Sequence, residues 1–262
     1  EAAGIIEELG PGVTEFQVGD RVAYASAPLG SYSEVRTFPI QNLVKIPDDI
    51  SDDIAAAIML KGMTAEYLIR RTYKVMSGQT VLFHAAAGGV GLIACQWLKA
   101  IGATVIGTVG SHEKSELAKA NGCDHTILYK EEDFVDKVKA ITNGKGVPVV
   151  YDSVGKDTAL NSLDCLSSLG LLVIFGNSSG NAPAIEPGLL ATKGSLYVTR
   201  PTLFNYNDTR EKLMESANQV FSMVRSGKVS IKIGAQYDLK DAVQAHKDLE
   251  ARKTTGCIIL RP

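Results

Sequence analysis

Apolar residues recur along this chain with two different spacings, and the change between them divides the chain into parts. Up to about residue 46, short apolar segments are separated by turn residues, which predicts β-structure over 3–9, 18–22 and 30–38. From residue 80 onward, apolar runs alternate with amphipathic stretches, as in a parallel sheet covered by helices on both faces. The predicted strands of this part are 81–85, 104–109, 125–128, 149–152, 171–175 and 195–199, and the predicted helices between them are 91–101, 113–121, 131–142 and 158–166.

The segments on either side of this alternating region predict further helices and strands. Ser51 is a suitable N-cap for a helix over 52–60, and a second helix is predicted over 64–73. At the other end, helices over 209–226 and 240–252 alternate with strands over 229–233 and 257–260, and we expect this tail to return to the first domain. The resulting domain prediction is 1–61, 62–199 and 200–262.

A glycine-rich turn at residues 84–91 follows the apolar run at 80–83 and leads directly into a helix. Ala86, Gly88 and Gly91 have the spacing of a dinucleotide-binding fingerprint in which alanine replaces the first glycine. Such turns also connect strands to helices without binding anything. Here the helix ends at Gly102, a C-cap residue, and a second apolar strand follows at 104–109. This βαβ unit favours a nicotinamide dinucleotide site.

The end of the second predicted strand indicates which dinucleotide is preferred. An NAD-preferring fold places an acidic residue there to bind the ribose 2′-hydroxyl, whereas this chain has Gly107, Thr108, Val109 and Gly110. A hydroxyl at Ser111 and an ammonium at Lys114 would suit a 2′-phosphate, although exposed helix lysines are also common. The sequence therefore favours NADP(H).

Composition and charge exclude several other classes of function. The 262 residues include 27 basic and 29 acidic side chains, a formal net charge of −2, so neither nucleic acid nor a membrane surface is favoured as a partner. No apolar run is long enough to span a membrane. The four cysteines are far apart in sequence, which is typical of reduced cytoplasmic thiols, and the four histidines lack metal-ligand spacing. We therefore expect a cytoplasmic protein without a metal.

Several motifs along the whole chain together resemble one family. They are Glu1-Ala-Ala-Gly, Val18-Gly-Asp-Arg-Val, Lys61-Gly-Met-Thr-Ala-Glu-Tyr67, the turn His84-Ala-Ala-Ala-Gly-Gly-Val-Gly91, Tyr151-Asp-Ser-Val-Gly155, Phe175-Gly-Asn-Ser-Ser179 and Tyr197-Val-Thr-Arg-Pro201. The chain is similar to the medium-chain dehydrogenase/reductase superfamily. Within it, the chain resembles the bacterial NADPH:quinone oxidoreductases, which are relatives of zeta-crystallin.

This resemblance implies an α/β fold class, with a Rossmann doubly wound parallel sheet plus a GroES-like β-rich catalytic domain formed from both ends of the chain. It also implies that a further N-terminal part of the catalytic domain precedes Glu1. The zinc-dependent alcohol dehydrogenases of the superfamily have a cysteine ligand where Lys61 stands, so a zinc-independent enzyme is expected. Relatives are dimers, and the segment 195–199 is positioned to form a homodimer through the edge of the Rossmann sheet.

The resemblance also assigns residues to the NADPH site. Thr64, Val198, Thr199 and Arg200 are expected near the nicotinamide. The other expected cofactor-binding residues are Ala87, Gly88, Gly89 and Val90 at the pyrophosphate, Gly110, Ser111, Lys114 and Tyr129 around the adenosine ribose and its 2′-phosphate, Ser153, Phe175, Gly176, Asn177 and Ser178 along the ends of the strands, and Arg252 from the returning domain. Alternatives are a partly buried strand-end residue for Tyr129 and domain-interface salt bridges for Arg200 and Arg252.

The expected activity is the reduction of a small-molecule quinone by NADPH in the cleft between the domains, without zinc. No side chain is assigned as a catalytic proton donor. A reductase of α,β-unsaturated carbonyl compounds would need nearly the same cofactor site and a different substrate pocket. A third alternative is a non-catalytic NADPH-binding protein with a crystallin or RNA-binding role, and the near-neutral charge disfavours its RNA-binding form.

Overall fold

A computed structural model of the chain describes residues 1–25, 27–251 and 253–262. The chain divides into two compact units, one formed by Glu1–Glu66 together with Leu203–Pro262, and the other by Tyr67–Thr202. The strands in chain order are β1 Ala2–Ile5, β2 Arg21–Tyr24, β3 Val44–Lys45, β4 Thr80–Phe83, β5 Thr104–Val109, β6 His125–Leu128, β7 Val147–Asp152, β8 Leu166–Ile174, β9 Tyr197–Thr199, β10 Ile233–Asp238 and β11 Cys257–Arg261. The α-helices are α1 Asp52–Tyr67, α2 Gly89–Ile101, α3 His112–Ala120, α4 Phe134–Ile141, α5 Ala159–Ser162, α6 Pro187–Thr192, α7 Leu203–Tyr206, α8 Arg210–Arg225 and α9 Ala242–Glu250.

The unit formed by Tyr67–Thr202 is built on a six-stranded parallel sheet with the order β6-β5-β4-β7-β8-β9. Its strands are rich in buried Val, Ile and Leu because both faces of the sheet are covered. The strand order reverses between β4 and β7, and in such sheets this crevice at the carboxyl ends of the strands is where ligands bind. The predicted α/β fold with a doubly wound parallel sheet is confirmed.

The other unit combines an antiparallel sheet, β1-β2-β3, with a parallel pair, β10-β11. Phe16, Val22, Tyr24 and Leu43 form a small core under the antiparallel sheet. Among the described residues, no helix is long and apolar enough to cross a membrane.

The predicted pair of helices over 52–60 and 64–73 is wrong, because a single helix, α1, runs through this region and ends in a π-helical turn over Leu68–Thr72. The Ser51 cap is confirmed, since its hydroxyl accepts the Ile54 N–H at 3.3 Å. Gly62 does not interrupt the helix. A Cβ at position 62 would lie 2.7 Å from both Ile58 and Val220, so this glycine permits α1 to pack closely against α8.

Two predicted strands are also wrong. Residues 30–38 pair with no strand among the described residues, and the Arg36 side chain of this segment bonds to the backbone before it, donating to the carbonyls of Pro28 and Leu29 at 2.9 and 3.1 Å. The strand predicted at 229–233 begins only at Ile233. Val229 donates instead to the Met223 carbonyl at 3.0 Å and completes the end of α8.

Candidate cofactor site

The turn between β4 and α2 lies beside the point where the strand order reverses. Ala85 has a φ of 54°, a left-handed conformation that is uncommon outside glycine. Its N–H donates to the Thr108 hydroxyl at 3.3 Å, and the next N–H, of Ala86, donates to the Thr108 carbonyl at 3.0 Å. The Gly88 N–H closes the turn on the Ala85 carbonyl at 2.8 Å. Strand β5 thus fixes the shape of the turn.

Close packing explains the residue types of the fingerprint. A Cβ at Gly91 would lie 2.5 Å from the Ala85 carbonyl oxygen and 2.6 Å from that of Ala86, so only glycine fits where the helix starts. A Cβ at Gly107 would lie 2.5 Å from the Ala86 methyl and 2.6 Å from the Cys123 sulfur. The methyl group gained at position 86 therefore occupies the space left by the missing side chain at position 107.

The first turn of α2 has the features needed to bind a diphosphate. Its N-cap is Gly88, and no side chain caps the helix there. The N–H groups at the start of a helix are unpaired within the helix and carry a partial positive charge, which favours phosphate. Of the residues predicted to hold the pyrophosphate, Gly88 is exposed and Ala87, Gly89 and Val90 are partly exposed. This turn therefore fits the diphosphate of a dinucleotide.

The ends of β5 and β6 bring together the four residues predicted to surround the adenosine ribose and its 2′-phosphate. A Cβ at Gly110 would lie 3.2 Å from the Tyr129 hydroxyl, so the tyrosine ring lies directly beside this glycine, with 45% of the residue exposed. Ser111 is the N-cap of α3 and accepts the Lys114 N–H at 3.3 Å. Within residues 1–25, 27–251 and 253–262, no hydrogen bond or ion pair holds the Lys114 ammonium. The Ser111 hydroxyl and the Lys114 ammonium thus follow the end of β5, a strand that contains no acidic residue.

The turns after β7 and β8 pack tightly against each other and hold the next group of predicted residues. A Cβ at Gly176 would lie 2.6 Å from the Ser153 carbonyl oxygen, and the Ser178 N–H donates to the same oxygen at 3.1 Å. The Phe175 N–H donates to the Asp152 carbonyl at 2.8 Å. Asn177 is exposed, and its amide donates to Asn181 at 3.2 Å.

The remaining predicted residues are distributed over both units. Val198 and Thr199 lie on β9, and Arg200 follows it and donates to the Pro201 carbonyl at 2.9 Å. Thr64 is a buried residue of α1, in the other unit. Arg252 lies outside the described residues.

Sequence reasoning missed a set of buried polar residues beneath the turns, namely Thr108, Asp152, Thr158 and Ser162. They are joined by His84, whose Nδ1 lies 3.0 Å from the Thr108 hydroxyl and whose Nε2 lies 3.0 Å from the Ser162 hydroxyl. Burial lowers the pKa of the His84 imidazole, and the Asp152 carboxylate only partly offsets this shift. The available signal was the presence of polar residues at the ends of strands that are otherwise apolar.

The position of Lys61 bears on whether zinc could be held here. Its ammonium forms an ion pair with the Glu1 carboxylate, and Glu1 also accepts the Leu60 N–H at 2.6 Å. Burial opposes the charge on Lys61, but the pKa of its ammonium is nevertheless raised by Glu1 and Cys257. Over the described part of the chain, no three His, Cys, Asp or Glu side chains cluster as metal ligands. A protonated lysine cannot ligate zinc, so the residues present do not fit that metal.

Comparison with known proteins relates both units to one group of enzymes. The family model described as zinc-binding dehydrogenase matches residues 89–219, and the model described as alcohol dehydrogenase GroES-like domain matches residues 1–48. A quinone oxidoreductase of Pseudomonas aeruginosa is 53% identical over 262 residues, which cover 100% of this chain and 81% of the relative. A 2-haloacrylate reductase of Burkholderia sp is 47% identical over 265 residues, which cover 100% of this chain and 80% of the relative.

A solved structure of a related protein supports the same family. The crystal structure of Escherichia coli quinone oxidoreductase complexed with NADPH superimposes with a TM-score of 0.96 at 50% identity, covering 99% of this chain and 80% of that one. The predicted GroES-like domain and the predicted family are confirmed. The chain belongs to the quinone oxidoreductase family of the medium-chain dehydrogenase/reductase superfamily.

Proposed function

We propose that this protein reduces quinones with NADPH and does so without zinc. The observation that carries the proposal is the identity of 53% to a quinone oxidoreductase over the whole of this chain. NADPH as the cofactor is confirmed by homologous structures solved with it. The uncapped first turn of α2 supports the placement of its pyrophosphate at residues 87–90.

The adenosine end of NADPH would be held by residues at the ends of β5 and β6. Ser111 can donate its hydroxyl proton to a 2′-phosphate while still accepting the Lys114 N–H, and the Lys114 ammonium supplies a charge-assisted hydrogen bond. Tyr129, beside Gly110, offers an aromatic face to the adenosine. Strand β5 ends without an acidic residue, so it presents no carboxylate to the phosphate dianion, and Glu113 lies within the following helix α3. These contacts support a preference for NADPH over NADH.

When bound, the dinucleotide supplies the hydride, so the protein's task is to orient the cofactor and exclude water. The turns at the carboxyl ends of the strands are well suited to orientation, since their close contacts leave little freedom to move. The Lys61–Glu1 ion pair supports a zinc-independent reaction, because it places an ammonium where the related alcohol dehydrogenases have a zinc ligand.

A second candidate function is the reduction of α,β-unsaturated carbonyl compounds. It is favoured by the 47% identity to a 2-haloacrylate reductase over the whole of this chain. Such a reaction would use the same NADPH site, so the acceptor alone distinguishes the two candidates.

The proposal is tested by following NADPH absorbance with 1,4-benzoquinone, a naphthoquinone, an enone and 2-chloroacrylate as separate acceptors. We expect oxidation with the quinones, unchanged after dialysis against a chelator. Oxidation with the enone or 2-chloroacrylate alone would replace the proposal by the second candidate, and loss of activity on chelation would overturn zinc independence. If no acceptor is reduced while NADPH binds, the protein is a non-catalytic cofactor binder.

We further propose a cytoplasmic homodimer formed through the outer edge of β9. All four cysteines are free and buried, as in proteins of a reducing compartment. Strand β9 is the last strand of the sheet, and Tyr197 on it is 60% exposed. An open strand edge can pair with a second copy of the same strand. Light scattering should give twice the chain mass for the wild-type protein and the mass of a monomer for Tyr197→Asp. A wild-type monomer would refute the dimer, and a Tyr197→Asp protein that remains a dimer would refute the β9 edge as its interface.

A further inference from the structure

A buried chain of hydrogen bonds connects the two turns that border the reversal of strand order. It is formed by Thr108 near the end of β5, His84 directly after β4, Asp152 at the end of β7, and Thr158 and Ser162 of the α5 region. We call these five residues the His84 network. Each is less than a tenth exposed, and His84, Asp152 and Ser162 are fully buried. A buried polar network must be satisfied at every member to avoid a large desolvation cost.

The distances around His84 favour one placement of its proton. The Ser162 hydroxyl lies 2.9 Å from the Thr158 carbonyl and 3.0 Å from His84 Nε2, so it can donate its one proton to the carbonyl and accept from Nε2. In that arrangement Nε2 carries the imidazole proton. In the neutral ring, Nδ1 is an acceptor and takes the proton of the Thr108 hydroxyl at 3.0 Å. The arrangement is complete only for a neutral histidine with its proton on Nε2.

This orientation leaves the oxygen of Thr108 free to accept a further hydrogen bond, which it takes from the Ala85 N–H at 3.3 Å. Ala85 is the residue with a φ of 54°. A left-handed conformation at a residue other than glycine is strained and persists only where its surroundings hold it. The Thr108 side chain therefore helps to hold the turn that presents the first N–H groups of α2.

The other end of the network shapes the turn after β7. The Thr158 hydroxyl donates to Asp152 Oδ2 at 2.7 Å. Asp152 Oδ1 accepts the N–H groups of Val154 and Gly155 at 2.7 and 3.0 Å. One end of the His84 network thus bonds to the turn after β4, through Thr108, and the other end bonds to the turn after β7, through Asp152.

We infer that the His84 network positions the turn that binds the pyrophosphate, with His84 and Thr108 acting through the backbone of Ala85. This inference rests on the proposed function, because it requires that NADPH bind at this turn. His84 and Thr108 are positioning residues, and their effect is confined to the pyrophosphate. The 2′-phosphate subsite at Ser111 and Lys114 follows the same strand end as Thr108, but among the described residues its hydrogen bond joins Ser111 to Lys114 and involves neither the Thr108 nor the His84 side chain.

The test compares Thr108→Val, which removes the hydroxyl but keeps the shape, with Thr108→Ser, which keeps the hydroxyl. The ligands are NADPH and 2′-AMP, which has the 2′-phosphate but no 5′-phosphate and so nothing to place at the pyrophosphate turn. For Thr108→Val we expect the Kd of NADPH to rise about 3–10-fold, the loss typical of one hydrogen bond, with an increase in KM and an unchanged kcat. For Thr108→Ser, which keeps the hydroxyl, we expect the Kd of NADPH to stay within about twofold of wild type. The Kd of 2′-AMP should stay within about twofold of wild type for both variants, because this ligand does not contact the turn.

Ser162→Ala serves as the second variant, because it removes the acceptor of His84 Nε2 without altering β5, and we expect the same selective loss of NADPH affinity. Equal weakening of NADPH and 2′-AMP would show general structural damage and overturn the inference. Wild-type affinity for NADPH in both Thr108→Val and Ser162→Ala would overturn it as well. If the wild-type protein bound 2′-AMP but not NADPH, the proposed function would fail first and the inference with it.

Discussion

The substitution Gly107→Ala tests the packing explanation for the alanine in the fingerprint. The added Cβ would lie 2.5 Å from the Ala86 methyl and 2.6 Å from the Cys123 sulfur, distances that require the backbone to shift. Overpacking of a core in this way typically costs about 1–3 kcal/mol. For a protein of this size, about 2–4 °C of Tm corresponds to 1 kcal/mol, so we expect the Tm to fall by about 2–12 °C.

The fluorescence of Trp97 is a suitable readout, because this single tryptophan lies on α2 in the same unit as Gly107. The double variant Ala86→Gly/Gly107→Ala removes one of the two clashing groups. The decrease in Tm of the double variant should therefore be smaller than the sum of the decreases in the two single variants. Expressed as free energy of unfolding, the coupling between positions 86 and 107 should be at least about 0.5 kcal/mol.

Gly188→Ala is the matched control. No atom lies within 4 Å of a Cβ at position 188, which is in α6, so we expect an unchanged or slightly higher Tm. The packing explanation is refuted if Gly107→Ala has the same Tm as the wild type, or if the decrease in Tm of the double variant equals the sum of the decreases in the single variants.

Three further outcomes are expected. Lys114→Ala should weaken NADPH about 10–150-fold, since a charge-assisted hydrogen bond is worth about 1.5–3 kcal/mol, and should leave the Kd of NADH unchanged; equal loss for both would remove the 2′-phosphate role. Gly176→Ala should lower the Tm by about 2–12 °C, again by overpacking, because its Cβ would lie 2.6 Å from the Ser153 carbonyl oxygen; a wild-type melting curve would contradict this. Folding lowers the pKa of His84, so below about pH 6.5 this histidine is protonated in the unfolded chain but not in the folded protein. The free energy of unfolding therefore decreases as the pH is lowered through this range. The decrease in Tm between pH 7.5 and 5.5 should therefore be smaller in His84→Gln than in the wild type, and an equal decrease would count against a neutral His84.

The parallel sheet could be predicted from the sequence because its signal is local and repeated. The predicted strands at 104–109 and 125–128 coincide with β5 and β6, since each is an apolar run bounded by turn residues. The turn at 84–91 was equally clear, because the steric demand at Gly91 comes from residues only a few positions away.

The failures have a different physical origin. Two helices, 52–60 and 64–73, were predicted, but Gly62 lies inside α1 and packs against Val220, a residue of a distant helix. The segment 30–38 forms no strand, and its Arg36 side chain bonds instead to the carbonyls of Pro28 and Leu29. The His84 network joins three strands and a helix region that are far apart in sequence. In each case the contact forms only after the chain has folded, so a local pattern can mark a residue as unusual but does not identify its partner.

The division of the chain into units has a consequence for the order of folding during synthesis. Tyr67–Thr202 is one continuous segment, whereas its neighbour needs both Glu1–Glu66 and Leu203–Pro262. Arg210 illustrates the dependence, because it bonds to Glu15 and to the Leu43 carbonyl across most of the chain length. The central unit leaves the ribosome before synthesis of the last segment is complete, and domains generally fold as units during synthesis. The six-stranded sheet can thus assemble before Glu1–Glu66 has Leu203–Pro262 to pack against.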